Sequence, residues 1–137
     1  MPTVETAEVP AAGARRTAHV LLADDDEEVR SFVYDALTNE GYDVWLAADG
    51  RAALDLINAR QPDLILLDVR MPVMDGPTFA AAYHRRPAPH APIVLCTALP
   101  AVEAAEQAEA VGASGFLRKP FSIDALLVTV RQYVPLE

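Results

Sequence analysis

The chain has one cysteine, Cys96, in 137 residues. That excludes an internal disulfide and any thiolate-rich metal site. Long hydrophobic runs are missing too. Uninterrupted apolar stretches such as Leu64 to Leu67 fall far short of the roughly 20 residues that cross a bilayer. Basic side chains are few: eleven Lys and Arg face twenty Asp and Glu, for a formal net charge of −9. Such a chain repels phosphate backbones and anionic lipid surfaces, which argues against direct binding of nucleic acid or membrane. The first twenty residues contain Glu5, Glu8 and Pro10 and have neither a basic start nor an apolar centre, so no secretory signal is expected. A cytoplasmic location follows as the expectation. His19, His84 and His90 show no metal-ligand spacing.

What remains is a small acidic domain. Hydrophobic residues make up 52% of the chain, but 25 positions are Ala, so Leu, Val and a few aromatics must build the core. Residues Met1 to Ala18, rich in Ala, Pro, Gly and Thr without periodicity, read as a mobile tail. From His19 onward, short apolar runs alternate with amphipathic stretches. The runs His19–Ala23, Tyr42–Ala47, Leu64–Leu67, Ile93–Cys96 and Gly115–Leu117 are too short for helices and read as strands.

Helical spacing fills the gaps. Val29, Phe32, Val33, Ala36 and Leu37 recur at i, i+3, i+4, i+7 and i+8, with Gly41 as a stop. Asp49 can cap a second helix that presents Ala53, Leu54 and Ile57 to a core. Asp75 and Pro77 start a third with Phe79, Ala80 and Tyr83 inward, and an Ala- and Glu-rich fourth runs from about Ala101 to Ala110. Ser122 caps a fifth with Leu126, Leu127, Val130 and Tyr133 or Val134 on one face. Strict alternation of strand and helix predicts an α/β fold: a doubly wound, five-stranded parallel sheet with helices on both faces and strand order 2-1-3-4-5. Any site should lie beyond the carboxyl ends of the strands, near the first and third.

Those ends carry chemistry. The first strand runs into Asp24, Asp25 and Asp26, followed by Glu27 and Glu28. The last three suit the solvated first turn of a helix. The third strand runs into Asp68, which the topology brings beside Asp24 and Asp25. Three converging carboxylates repel one another unless a cation joins them, and an oxygen-only donor set favours Mg²⁺ over zinc. The fourth strand delivers Thr97 and the fifth Lys119. A carboxylate nucleophile, a hydroxyl donor and two positive centres are the parts that phosphoryl transfer requires.

The stretches Val20-Leu-Leu-Ala-Asp-Asp-Asp26, Asp63-Leu-Ile-Leu-Leu-Asp-Val-Arg-Met-Pro-Val-Met-Asp-Gly76, Val94-Leu-Cys-Thr-Ala98 and Gly115-Phe-Leu-Arg-Lys-Pro-Phe121 together resemble the receiver domain of two-component response regulators, a CheY-like, flavodoxin-type fold. The resemblance covers about His19 to Val134, which assigns residues 1–18 to the tail and 19–137 to the receiver, with no output domain expected. It implies that Asp68 accepts a phosphoryl group from the phosphohistidine of a sensor histidine kinase or phosphotransfer protein. It implies Mg²⁺ held directly by Asp25, Asp68 and the backbone carbonyl of Arg70, with Asp24 acting mainly through water. Lys119 would pair with the acceptor and then with a phosphoryl oxygen, across a cis bond to Pro120. Thr97 would donate to another oxygen, and Phe116 would turn inward as the switch aromatic.

The resemblance further implies that the face made by the fourth helix, fifth strand and fifth helix binds a downstream protein or a second copy. The chain would then be no enzyme beyond gaining and losing its own phosphoryl group. Arg70 and Leu99 occupy positions that tune how long that group survives, and neither is suited to orient an attacking water. The alternative is a receiver-like interaction module that is never phosphorylated. A haloacid dehalogenase-type phosphatase would need Asp-x-Asp where this chain has Asp68-Val-Arg70. A flavin carrier would need a hydroxyl- and Gly-rich loop where it has three aspartates.

Overall fold

A computed structural model of the chain describes residues 17–136. The segment read as a tail falls outside them, apart from its last two positions. Ten elements alternate: β1 His19–Ala23, α1 Glu27–Asn39, β2 Asp43–Ala47, α2 Gly50–Ala59, β3 Leu64–Asp68, α3 Gly76–His84, β4 Ile93–Thr97, α4 Ala101–Val111, β5 Gly115–Arg118 and α5 Ile123–Tyr133. All strand pairs are parallel and the sheet order is 2-1-3-4-5. No helix of the described residues is long and apolar enough to cross a membrane.

The sheet splits the core into two halves by simple alternation. Val20, Leu22, Leu64, Leu66, Val94 and Cys96 face α1 and α5, while Leu21, Ile65, Leu67, Ile93 and Leu95 face α2, α3 and α4. Central strands buried on both faces must read as continuous apolar runs, and every residue of β3 and β4 is buried. Each fully buried Leu or Ile contributes about 2 kcal/mol relative to exposure. A one-residue slip of β3 would exchange the two halves, so this packing also fixes where Asp68 emerges.

Helix termini follow the expected capping. Asp49, Asp75 and Ser122 each accept the backbone N–H three residues on, from Ala52, Thr78 and Ala125. The inward faces of α2 and α3 are those the spacing predicts. In α5, Leu126 and Val130 are buried while Leu127, Tyr133 and Val134 are half-buried. α1 departs from expectation at Phe32, which is 40% exposed, whereas Val33, Ala36 and Leu37 are buried. Phe32 precedes Val33 by one residue, so its side chain is turned by roughly 100° around the helix, onto the flank where its ring stands 6.1 Å from that of Phe121. α4 buries only Ala104 and Ala108 and ends at Gly112, whose φ of +78° suits glycine.

The amino-terminal end of the sheet is tied together by polar contacts. Asp43 Oδ2 accepts from Trp45 Nε1 at 3.0 Å and lies 2.8 Å from His19 Nδ1, and the Arg60 guanidinium stacks 4.5 Å over the Trp45 ring. The proline-rich connection before β4 is similarly fastened. The buried Tyr83 hydroxyl accepts from Ala91 N at 2.6 Å and from Gln61 Nε2 at 2.8 Å, and the same Gln61 amide reaches Pro89 O at 3.2 Å. The Ala88–Pro89 and Lys119–Pro120 bonds are cis.

The loop after β3 has two demanding positions. A Cβ at Gly76 would lie 2.3 Å from Asp68 O, so only glycine permits its approach to the end of β3. Three residues earlier, Met74 N donates to Pro72 O at 2.6 Å around Val73, which has φ +68° and is 84% exposed. A β-branched residue in left-handed backbone geometry is strained, and exposure leaves Val73 little packing to offset the strain. Val73→Asn should therefore raise stability by about 1 kcal/mol, measured by urea unfolding. A lower midpoint would contradict the strain assignment.

Candidate phosphoacceptor site

Parallel strands place all their carboxyl ends on one edge, and the sheet order puts β1, β3, β4 and β5 side by side there. Asp24 and Asp25 follow β1, Asp68 ends β3, Thr97 ends β4, and Lys119 follows β5. The register pairs Ala23 with Leu67, Asp68 with Cys96, and Thr97 with Arg118. Sequence neighbours of the hydrophobic strands thus become neighbours in space.

Carboxylate oxygens of Asp24, Asp25 and Asp68 lie within 4.8 Å of one another. Asp24 is fully buried, Asp68 nearly so, and Asp25 is exposed. The Lys119 ammonium bridges the buried pair, 2.7 Å from Asp24 Oδ2 and 3.2 Å from Asp68 Oδ1. Its shorter contact is to Asp24, not to the acceptor position that the resemblance had implied as its partner. Asp24 is the more deeply buried of the two, and its other oxygen accepts from Asp26 N at 2.9 Å. Both of its oxygens are therefore engaged, which leaves Asp25 and Asp68 as the carboxylates most open to a cation. Three convergent carboxylates and no sulfur or imidazole donor fit a hard dication such as Mg²⁺.

Burial raises the Asp68 carboxyl from its ordinary value, and the Asp24 charge adds to the rise while Lys119 opposes it. For Lys119, burial works to lower the ammonium, but its bonds and charge attraction to Asp24 and Asp68 outweigh that and hold it raised. The Cys96 thiol, wholly buried beneath the site, is pushed up to about 12 by desolvation and is inert.

Thr97 is buried, and its Oγ1 accepts from Leu99 N at 3.2 Å. With that lone pair occupied, the hydroxyl hydrogen is free to be donated elsewhere. A cavity of about 420 Å³ opens beside it, lined by Asp68, Arg70, Thr97, Leu99 and Lys119 on the strand ends and by Gln107 from α4. Gln107 carries no signal in the sequence beyond being the single amide of an Ala- and Glu-rich helix, yet its Oε1 is buried without a hydrogen-bond partner among the described residues. Phe116 is not part of this cavity. It lies opposite Leu95, half-buried, in a separate depression of about 300 Å³ with Ala105, Ala108 and Ala113.

Because folding raises the Asp68 pKa, the folded state keeps that proton to higher pH than the unfolded chain, and stability falls as pH rises through the window. Asp68→Asn should therefore be more stable than the wild type at neutral pH, with the difference shrinking below about pH 4. Denaturant unfolding at both pH values checks this, and an Asn variant of lower stability at neutral pH would contradict it.

Comparison with known proteins shows the family to which this fold belongs. The family model of the response regulator receiver domain matches residues 20–131. The chain is 39% identical over 112 residues to the response regulator MprA of Mycolicibacterium vanbaalenii, covering 82% of this chain and 48% of that protein. It is 37% identical over 129 residues to the transcriptional regulatory protein PdtaR of Mycobacterium tuberculosis, covering 93% and 60%. The structure of the chemotaxis response regulator CheY4 of Vibrio cholerae superposes with a TM-score of 0.78 at 36% identity, covering 87% of this chain and all of that one. The chain spans 25% to 60% of the length of several curated relatives that it matches. Receiver domains are signalling modules, and phosphorylation and magnesium binding are general features of the group. On its motifs, its topology and these matches, the chain belongs to the response regulator receiver domain family of two-component systems.

Proposed function

We propose that Asp68 is the phosphoacceptor and takes its phosphoryl group from the phosphohistidine of a sensor kinase or phosphotransfer protein. The observation that carries this reading is the approach of the Asp68 carboxylate to those of Asp24 and Asp25 and to the Lys119 ammonium. An Asp68 oxygen attacks phosphorus, the bond from phosphorus to the imidazole nitrogen breaks, and the imidazole departs with the electron pair and takes up a proton. Asp25, Asp68 and the Arg70 backbone carbonyl would hold Mg²⁺, with Asp24 outside them, and the ion when bound offsets charge on the phosphoryl oxygens. Lys119 exchanges part of its contact with Asp68 for an equatorial oxygen, and Thr97 turns its free hydroxyl hydrogen toward another.

Movement of Thr97 toward the phosphoryl group vacates space at the end of β4, and Phe116, two residues before the register partner of Thr97, is the aromatic placed to fill it. Without a hydroxyl to hold at the surface, Phe116 favours the inward position even before phosphorylation. The change is read on the face formed by α4, β5 and α5. Val102 of α4 is 70% exposed, and Val128 and Ile123 of α5 are 63% and 47% exposed, apolar side chains open to a downstream protein or a second copy of the chain.

Incubation with acetyl phosphate and Mg²⁺, followed by intact mass measurement, should add one phosphoryl group to the wild type and none to Asp68→Asn. An unmodified wild type would sink the phosphoacceptor reading and leave the interaction module in its place. A carboxylate at position 99 would supply the acceptor that the cavity wall lacks for orienting water. Leu99→Glu should accordingly shorten the acyl phosphate half-life by about tenfold, followed as the decay of the phosphorylated mass, and an unchanged half-life would refute that role.

A further inference from the structure

Leu99 forms part of the wall of the cavity that contains Asp68, and its backbone is held from both sides. Its N–H donates to Thr97 Oγ1 at 3.2 Å. Its carbonyl accepts from Arg118 Nε at 3.0 Å. Arg118 ends β5 and is the register partner of Thr97, so its guanidinium reaches across the strand end to a loop residue two positions beyond Thr97. The next residue, Pro100, has no N–H and leaves α4 without a side-chain cap. At Leu99 the turn between β4 and α4 therefore rests on two contacts, one to Thr97 and one from Arg118. Arg118 itself is exposed, and ordering an exposed arginine costs side-chain entropy. The bond it makes is charge-assisted and aimed at one backbone atom.

We infer that Arg118 is a positioning residue that holds Leu99 against the cavity and thereby sets the lifetime of a phosphoryl group on Asp68. This rests on Asp68 being the phosphoacceptor. Loss of the group requires a water oxygen to attack phosphorus from the side opposite the Asp68 oxygen. The bond from phosphorus to that oxygen breaks, Asp68 leaves as carboxylate with the electron pair, and inorganic phosphate departs while a water proton passes to solvent. The Leu99 isobutyl group has neither donor nor acceptor with which to orient that water. Although 37% exposed, it occupies part of the cavity wall only while its backbone stays in place. Without Arg118, the Leu99 carbonyl turns to solvent and the turn is retained by the Thr97 contact alone. That contact is the one disturbed when Thr97 moves toward the phosphoryl group.

The test follows acyl phosphate decay by intact mass after acetyl phosphate is removed by desalting. Arg118→Ala should shorten the half-life by roughly three- to tenfold. Arg118→Met, which keeps the aliphatic stem but not the donor, should decay as Arg118→Ala does. Arg118→Lys, which keeps a donor and the charge, should stay within about twofold of wild type. In a Leu99→Ala background the same Arg118→Ala change should add less than about twofold, because the side chain that the anchor positions is gone. An effect that persists at full size in that background would make Arg118 a local charge instead of an anchor and overturn the assignment. So would an Arg118→Ala half-life equal to wild type. A wild type that takes up no phosphoryl group at all overturns the phosphoacceptor reading with it, an outcome distinct from equal decay rates.

Discussion

Two carboxylates buried side by side can persist only beside a positive charge, and Lys119 supplies it. Its ammonium touches Asp24 at 2.7 Å and Asp68 at 3.2 Å. Removing Lys119 would strand both carboxylates in low dielectric, a cost of several kcal/mol. Much of the local architecture serves to place that amine. β5 stops at Arg118, Lys119 N donates to Thr97 O at 2.8 Å, and the cis bond to Pro120 follows at once. On the opposite side, Arg30 donates to Asp24 O at 2.9 Å and Asp26 N fills Asp24 Oδ1. The Asp68 carboxylate is thus surrounded by groups that are themselves held, an arrangement that needs little reorganisation.

Most of this is visible in the sequence because the period of hydrophobicity changes so cleanly between strand and helix. β3 and β4 each read as four apolar residues ending in Asp68 or Thr97, and a parallel sheet then has only one edge on which those ends can gather. The composition also points to the oxygen-only donor set. Three features were not legible. Phe32 matches a helical repeat, yet lies on the flank of α1, since a count of apolar positions does not say how wide a stripe the sheet covers. Val73 takes left-handed backbone geometry with no Gly or Asn to announce it. The anchorage of Leu99 by Arg118 joins residues 19 apart in sequence and depends on side-chain reach, about which spacing is silent.

The contrast among the helices bears on how the domain can respond. α1, α2, α3 and α5 each bury at least one Leu, Ile, Phe, Tyr or Val, whereas the buried residues of α4 are Ala104 and Ala108, with Val111 half-buried against the same cluster. Alanine methyl groups make shallow ridges, so this contact interlocks less than those of the other helices. α4 is also the helix whose amino-terminal turn begins beside the cavity and whose Gln107 reaches into it. The helix with the smallest buried side chains and the Asp68 carboxylate therefore share a boundary.

The polar ties at the amino-terminal end of the sheet have a mechanical consequence. Asp43 gathers His19, Trp45 and Arg60 there, and Tyr83 fastens the segment that enters β4 through Ala91 and Gln61. β4 is thus tied at its foot through Ala91, while at its far end Thr97 accepts from the Lys119 and Leu99 N–H groups. A displacement imposed at Thr97 meets those two partners first, and the tied foot resists sliding along the strand axis. The displacement must spread sideways, across the tip of the sheet into β5 and the turn leading to α4. The stiffness of one end gives the motion of the other its direction.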